Sequence, residues 1–136
     1  MPPTKFSNDQ LPPQNLDAEK SLIGSLLINR EAINKVADYL RPEDFYNRSH
    51  QLIYEAIFGL FEKREPIDLL SLSNKLNEMG CLEQIGGRTY LTSLVSSVPS
   101  AAHVGSYAKI VQRKKMLRER QNQYSPKKRR FWKKRI

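Results

Sequence analysis

Apolar residues recur at helical spacing through most of the chain. Asn15 is predicted to cap a first helix, and Pro42 limits a second, because a residue that precedes proline disfavours the helical conformation. The stripe of the first helix is Leu22, Ile23, Leu26 and Leu27, and that of the second is Ile33, Val36, Ala37 and Leu40. Residues three or four apart share one face of a helix, so each stripe is expected to face a core.

The third predicted helix is apolar on most of its surface. Its apolar pairs recur every four residues, at Leu52/Ile53, Ala56/Ile57 and Leu60/Phe61. Such a helix is expected at the centre of a bundle, because it has little polar surface to offer to water. Asp68 is predicted to cap a fourth helix, which Gly80 ends in the left-handed conformation.

The remaining elements are also predicted to be helices. Gly86 and Gly87 form the turn before a fifth helix that ends at Pro99, and Ser100 caps a sixth. No segment shows the sustained alternation of a strand, so the predicted fold class is all-α. Four parts follow: a disordered lead-in at 1–14, a head of about five helices at 15–99, the sixth helix at 100–119, and a basic tail at 120–136.

The net charge of +9 is concentrated at the end of the chain. From Arg113 onward there are twelve Lys or Arg residues and one acid, whereas the preceding residues hold eleven bases and thirteen acids. The folded part is therefore slightly acidic. The tail has no apolar stripe, contains Pro126 and repels itself, so it is predicted to be disordered in isolation.

The tail gives one interpretation of function, a small nucleic-acid-binding protein. Its basic residues would contact phosphates and its aromatic rings would stack on unpaired bases. The residues predicted to do so are Lys127, Lys128, Arg129, Arg130, Phe131, Trp132, Lys133, Lys134 and Arg135. Binding of DNA by such a tail would be nonspecific, because it follows from charge.

The sequence contains no recognisable pattern of residues for catalysis or cofactor binding. The phosphate-binding pattern G-x-x-x-x-G-K-[ST] is missing, and His50, Cys81 and His103 have no metal-ligand spacing. The two histidines are interpreted as helix-surface or helix-start residues. No catalytic, cofactor-binding or metal-binding residue is predicted. The unpaired cysteine and the absence of a signal peptide or apolar span predict a cytoplasmic protein with no membrane contact.

Five stretches of the sequence resemble the N-terminal domain of bacterial DnaB-like replicative DNA helicases. They occur in the family's order and cover about residues 11–119. The stretches are LPPQNLDAEKSLIGSLL at 11–27, LRPEDFY at 40–46 followed by His50 and Ile53, IDL at 67–69 through Leu76, IGGRTYL at 85–91, and YAKIV at 107–111 through Leu117 and Arg118.

The resemblance implies a function in DNA replication without catalysis by these residues. In the family, a helical head is followed by a helical hairpin, and hairpins of neighbouring subunits pair to form a collar above six motors. The collar is where primase and other replisome proteins bind, while ATP and magnesium belong to the motor domain. The expected partners are therefore further copies, intact helicase subunits, primase and other replisome proteins.

The sixth helix matches the first arm of that hairpin, and the sequence departs from the family after Glu119. We hypothesise that the tail is a frameshift product or belongs to a truncated gene copy. Without a second arm, the sixth helix is expected to expose an apolar ridge for self-association; the alternative is that it packs back on the head. The predicted interface residues are Val104, Tyr107, Ala108, Val111 and Leu117.

Overall fold

The computed structural model describes residues 11–123, and within this range all regular secondary structure is helical. The all-α prediction is confirmed. The α-helices are α1 (Leu16–Ile28), α2 (Ala32–Val36), α3 (Arg48–Glu62), α4 (Leu69–Glu78), α5 (Gly87–Ser96) and α6 (Val104–Gln123), with short 3₁₀ turns at Pro42–Asp44 and Ala101–His103. Five α-helices therefore form the head, and α6 follows it.

Polar side chains begin the helices where the sequence predicted them. The side chain of Asn15 accepts a hydrogen bond from the amide of Ala18, and that of Asp68 accepts one from the amide of Ser71. Each satisfies a helix-start amide that has no partner within its own helix. Gly80 has a φ of +77°, which confirms the predicted left-handed end after α4.

Helix α2 is shorter than its apolar stripe. The helix ends at Val36 and the chain turns before Pro42, yet Ala37 and Leu40 are still buried. The stripe therefore reports which side chains enter the core and not where the helix stops.

The helix with neighbours on most sides is α1, which contacts α2, α3, α5 and α6. The sequence predicted this position for α3, which does bury Ile53, Tyr54 and Ile57 but leaves Glu55 in water. The difference lies in how closely neighbouring backbones approach: an added Cβ atom would overlap backbone at Gly24 of α1 but would meet only the Lys75 side chain at Gly59 of α3. Helix α1 presents Ala18 and Gly24 at buried positions, where neighbouring backbones can approach closely.

Gly24 is the point of closest approach between α1 and the end of α5. A Cβ atom added at this position would overlap the side chain of Val98 and the carbonyl group of Leu94. Only glycine fits here, because the obstructing atoms include backbone that cannot move without moving α5.

Helix α6 begins and ends about four residues later than predicted. The regular helix begins at Val104, after the 3₁₀ turn that Ser100 caps, and continues to Gln123 instead of ending at 119. The residues at 120–123 were assigned to the tail because they lack apolar periodicity. Arg and Gln are nonetheless good helix formers, and the next proline along the chain is Pro126. Nothing in the residues 120–123 therefore stops the helix at 119.

Among the described residues, no helix has the length and apolar character needed to cross a bilayer.

We predict that Gly24→Ala lowers the free energy of unfolding by about 3 kcal/mol, the upper end of the usual cost of overpacking a core. The matched control is Gly105→Ala, also in a helix, where an added Cβ meets open space. That control is expected to be neutral or stabilising by up to about 1 kcal/mol, because alanine favours helices. Urea unfolding followed by circular dichroism measures both. Equal stability of the two variants would contradict close packing at Gly24.

Candidate functional site

Helix α6 carries the five residues predicted to form an oligomer interface. Three of them, Val104, Ala108 and Val111, are at most 1% exposed and belong to the core of the head. The expectation that they form an exposed ridge is wrong, and the alternative, that this helix packs back on the head, holds for these three residues. The reason is that α6 packs against α1 of the same chain, which covers this face without the entropy cost of recruiting a second molecule.

The other two predicted interface residues remain partly accessible. Tyr107 and Leu117 are half-buried, and the hydroxyl of Tyr107 donates a hydrogen bond to the carbonyl oxygen of Ser100 at 3.1 Å. Ile110 and Met116, which were not in the predicted set, are 38% and 60% exposed. The apolar surface that α6 offers to a partner is therefore narrower than predicted, and pairing through it stays a prediction.

Beyond Val111, the inner face of α6 changes from apolar to polar. Arg118 donates hydrogen bonds to the carbonyl oxygens of Pro13 at 2.8 Å and Asp44 at 3.0 Å. Its guanidinium also lies 5.4 Å from the centre of the Tyr46 ring, within range of a cation–π contact. One side chain thus joins α6 to the residues before α1 and to the loop before α3.

Asp44 is a second point of attachment for α6. Its carboxylate accepts a hydrogen bond from the side-chain amide of Gln112 at 3.3 Å and lies 3.6 Å from the ammonium of Lys115. The same carboxylate accepts the backbone N–H of Arg41, so Asp44 also caps its 3₁₀ turn. We call Asp44, Gln112, Lys115 and Arg118 the polar seam. It holds the second half of α6 against the head where apolar contacts end.

Three polar side chains in the head form a buried connector: Glu19 of α1, His50 of α3 and Tyr90 of α5. Nδ1 of His50 lies 2.7 Å from a carboxylate oxygen of Glu19, and Nε2 lies 2.6 Å from the hydroxyl of Tyr90. Glu19 and His50 are both buried. The connector therefore links three helices through their side chains.

Glu19 also receives two backbone donors from the loop before α3. Its carboxylate accepts the amide N–H of Tyr46 at 2.6 Å and that of Asn47 at 3.3 Å. Because a carboxylate only accepts, Nδ1 of His50 carries the proton between them, and in a neutral imidazole Nε2 accepts from Tyr90. Burial and, to a smaller extent, the charge of Glu19 raise the pKa of Tyr90. The hydroxyl of Tyr90 therefore stays protonated and can act as the hydrogen-bond donor to Nε2 of His50.

His50 lies in the first turn of α3, as its interpretation as a helix-start residue has it, but it is buried, so the alternative of a helix-surface residue is wrong. Glu19 was not among the residues predicted to form a site. A signal was present in the sequence. Glu19 precedes Ile23 by four residues, and His50 precedes Ile53 by three, so both lie on apolar stripes. Polar residues on such stripes indicate either an error in the stripe or a buried pair, and only their distance in space decides between the two.

Metal-ligand groups and cavities are the other places where a functional site could lie. Among residues 11–123, no group of three His, Cys, Asp or Glu residues is arranged to hold a metal ion. Three shallow, open cavities have volumes of about 270, 320 and 400 Å³, around the lower end of the roughly 300–1,000 Å³ of typical small-molecule sites. The predicted nucleic-acid tail at 127–135 lies outside the described residues.

We predict that Glu19→Ala destabilises the head by about 3 kcal/mol or more. The substitution leaves the imidazole of His50 and the amide of Tyr46 without their buried acceptor. Glu62→Ala, at an exposed position at the end of α3, is the control and is expected to change stability little. Chemical denaturation measures both, and a Glu19→Ala variant as stable as the control would show that the connector contributes nothing.

Comparison with known proteins places this arrangement in a family. A sequence model of the protein family described as "DnaB-like helicase N terminal domain" matches residues 11–113 of this chain. The crystal structure of the N-terminal domain of DnaB helicase from Mycobacterium tuberculosis is similar with a TM-score of 0.78 and 45% sequence identity, over 79% of this chain and 77% of that chain.

Two curated relatives show how much of a longer protein the match covers. The replicative DNA helicase DnaC of Bacillus subtilis (strain 168) is 43% identical over 115 residues, which are 85% of this chain and 25% of the relative. The replicative DNA helicase DnaB of Mycobacterium leprae (strain TN) is 43% identical over 118 residues, 87% of this chain and 19% of the relative. This chain spans about a quarter of their length or less, and it belongs to the family of DnaB-like helicase N-terminal domains.

Proposed function

We propose that this chain serves DNA replication as an assembly and docking domain of a replicative helicase and catalyses no reaction with these 136 residues. The observation that carries the proposal is the shared fold, at 45% identity, with a DnaB N-terminal domain. Its expected place of action is the cytoplasm, where its partners would be helicase subunits, primase and other replisome proteins.

The absence of catalysis is proposed from the residues present. The sequence has six glycines, and none begins a G-x-x-x-x-G-K-[ST] loop that could surround the phosphates of ATP. The buried connector is closed to substrates, because Glu19 and His50 are inaccessible to water. Any ATP and magnesium used in unwinding would bind a motor domain, whose residues are not among these 136.

Assembly is proposed to use the outer side of α6. Ile110 and Leu117 are seven residues apart and therefore share one face, which lies away from the buried Val104 and Val111. Leu117 retains part of its surface, and Ile110 is exposed. Each apolar side chain of this size contributes about 1.5–3 kcal/mol when fully buried, so two of them per copy support a weak contact that a ring of subunits would reinforce.

The test is association with an intact replicative helicase, such as the Bacillus subtilis relative. Sedimentation velocity of a labelled chain mixed with the intact helicase is expected to show a salt-tolerant complex. Ile110→Glu is expected to weaken this complex at least about tenfold, because losing one buried isoleucine exceeds the 1.4 kcal/mol that a factor of ten represents.

Leu70→Glu is the matched control, since Leu70 is 63% exposed on α4 of the head. This variant should bind the intact helicase as the unmodified chain does. The proposal fails if the chain does not associate with the helicase at all. If Ile110→Glu and Leu70→Glu bind the helicase equally well, the proposed interface on the outer side of α6 is wrong.

A further inference from the structure

The solvent side of α6 carries a row of basic residues. Lys109, Arg113 and Arg120 are exposed and are spaced by four and seven residues, so they lie along one line of the helix. Met116 lies on the same line and is 60% exposed. We call these four residues the basic ridge. It is distinct from the Ile110 and Leu117 face and from the inner face that packs on the head.

Five of the six bases of α6 divide into two groups by their contacts, and the sixth, Lys114, is half-buried and lies off the ridge. Lys115 pairs with Asp44 and Glu119, and Arg118 is held in the polar seam. The three bases of the ridge form no salt bridge with any residue in 11–123. Their positive charge is therefore presented to solvent and not used to attach α6 to the head.

The basic ridge also lies on a helix with net positive charge, whereas the rest of the described chain has net negative charge. Helix α6 holds six bases and one acid, whereas residues 11–103 hold nine bases and twelve acids. Lys109 and Arg113 are four residues apart, where like charges destabilise a helix. The row thus weakens α6 slightly in isolation, and a polyanionic partner would reverse that effect.

The length of the ridge suits an extended anionic strand. From residue 109 to residue 120, a helix rises about 17 Å, which a stacked strand at 3.4 Å per nucleotide spans with about five phosphates. No aromatic ring lies on the ridge, so base stacking would be slight. Binding should depend on phosphates alone, without sequence preference and with strong dependence on salt.

We propose that the basic ridge of α6 is a binding surface for the phosphate backbone of single-stranded nucleic acid. The surface is folded and separate from the tail: only Arg120 falls within residues 120–136. A strand lying along the ridge would leave the Ile110 face available to another subunit. Subunit assembly and strand contact can therefore occur on one helix at the same time.

The experiment measures the affinity of the full chain for labelled oligothymidylate between about 50 and 200 mM salt. The test variant combines Lys109→Gln, Arg113→Gln and Arg120→Gln. Glutamine resembles lysine and arginine in helix propensity, so α6 should persist. Log affinity decreases with log salt, and each phosphate contact to a single strand contributes about 0.7 to the steepness of that decrease. Loss of three contacts should therefore make the decrease less steep by about 2.

The control variant combines Arg30→Gln, Lys63→Gln and Arg88→Gln, three exposed head positions with the same change in net charge. Its slope should stay as in the unmodified chain. The proposal is overturned if the ridge variant keeps the full slope, or if both variants lose the same amount, which would indicate net charge alone. It is also overturned if the ridge variant loses only salt-sensitive self-association, which would assign the ridge to the acidic head of a second copy.

Discussion

The structure depends on the close packing of α1 between its neighbours. Gly24 lets the end of α5 approach the backbone of α1, and α6 packs on α1 through Val104, Ala108 and Val111. Glu19, also on α1, ties α3 and α5 to it by hydrogen bonds through His50. Most of the head is thus organised around one helix of 13 residues.

This packing gives α6 two sides with different tasks. The inner side is apolar to Val111 and polar from Gln112 to Arg118, so the helix lies against the head over several turns. The outer side keeps Ile110, Met116 and the bases of the ridge accessible. A domain built this way can present a helix to partners in a fixed orientation, which supports the proposed role in assembly.

Much of the fold could be predicted from the sequence, because helix starts and apolar stripes are local. Asn15, Asp68 and Gly80 occupy the positions that their neighbours in sequence predicted. The sequence left open whether a second copy or the head covers α6, because its apolar stripe is the same in both cases. The connector was missed for a related reason, which is that the contact is not local. Glu19 and His50 are 31 residues apart in the sequence, and only folding brings them together.

The most direct test of this account is amide hydrogen exchange on the isolated chain, resolved by residue. The account predicts that the amides from 108 to 111 in α6 exchange as slowly as those of Leu22 to Leu26 in α1, because both open only when the head unfolds. Fast exchange throughout α6 while α1 stays protected would show that the helix is detached from the head, and the central claim would be wrong.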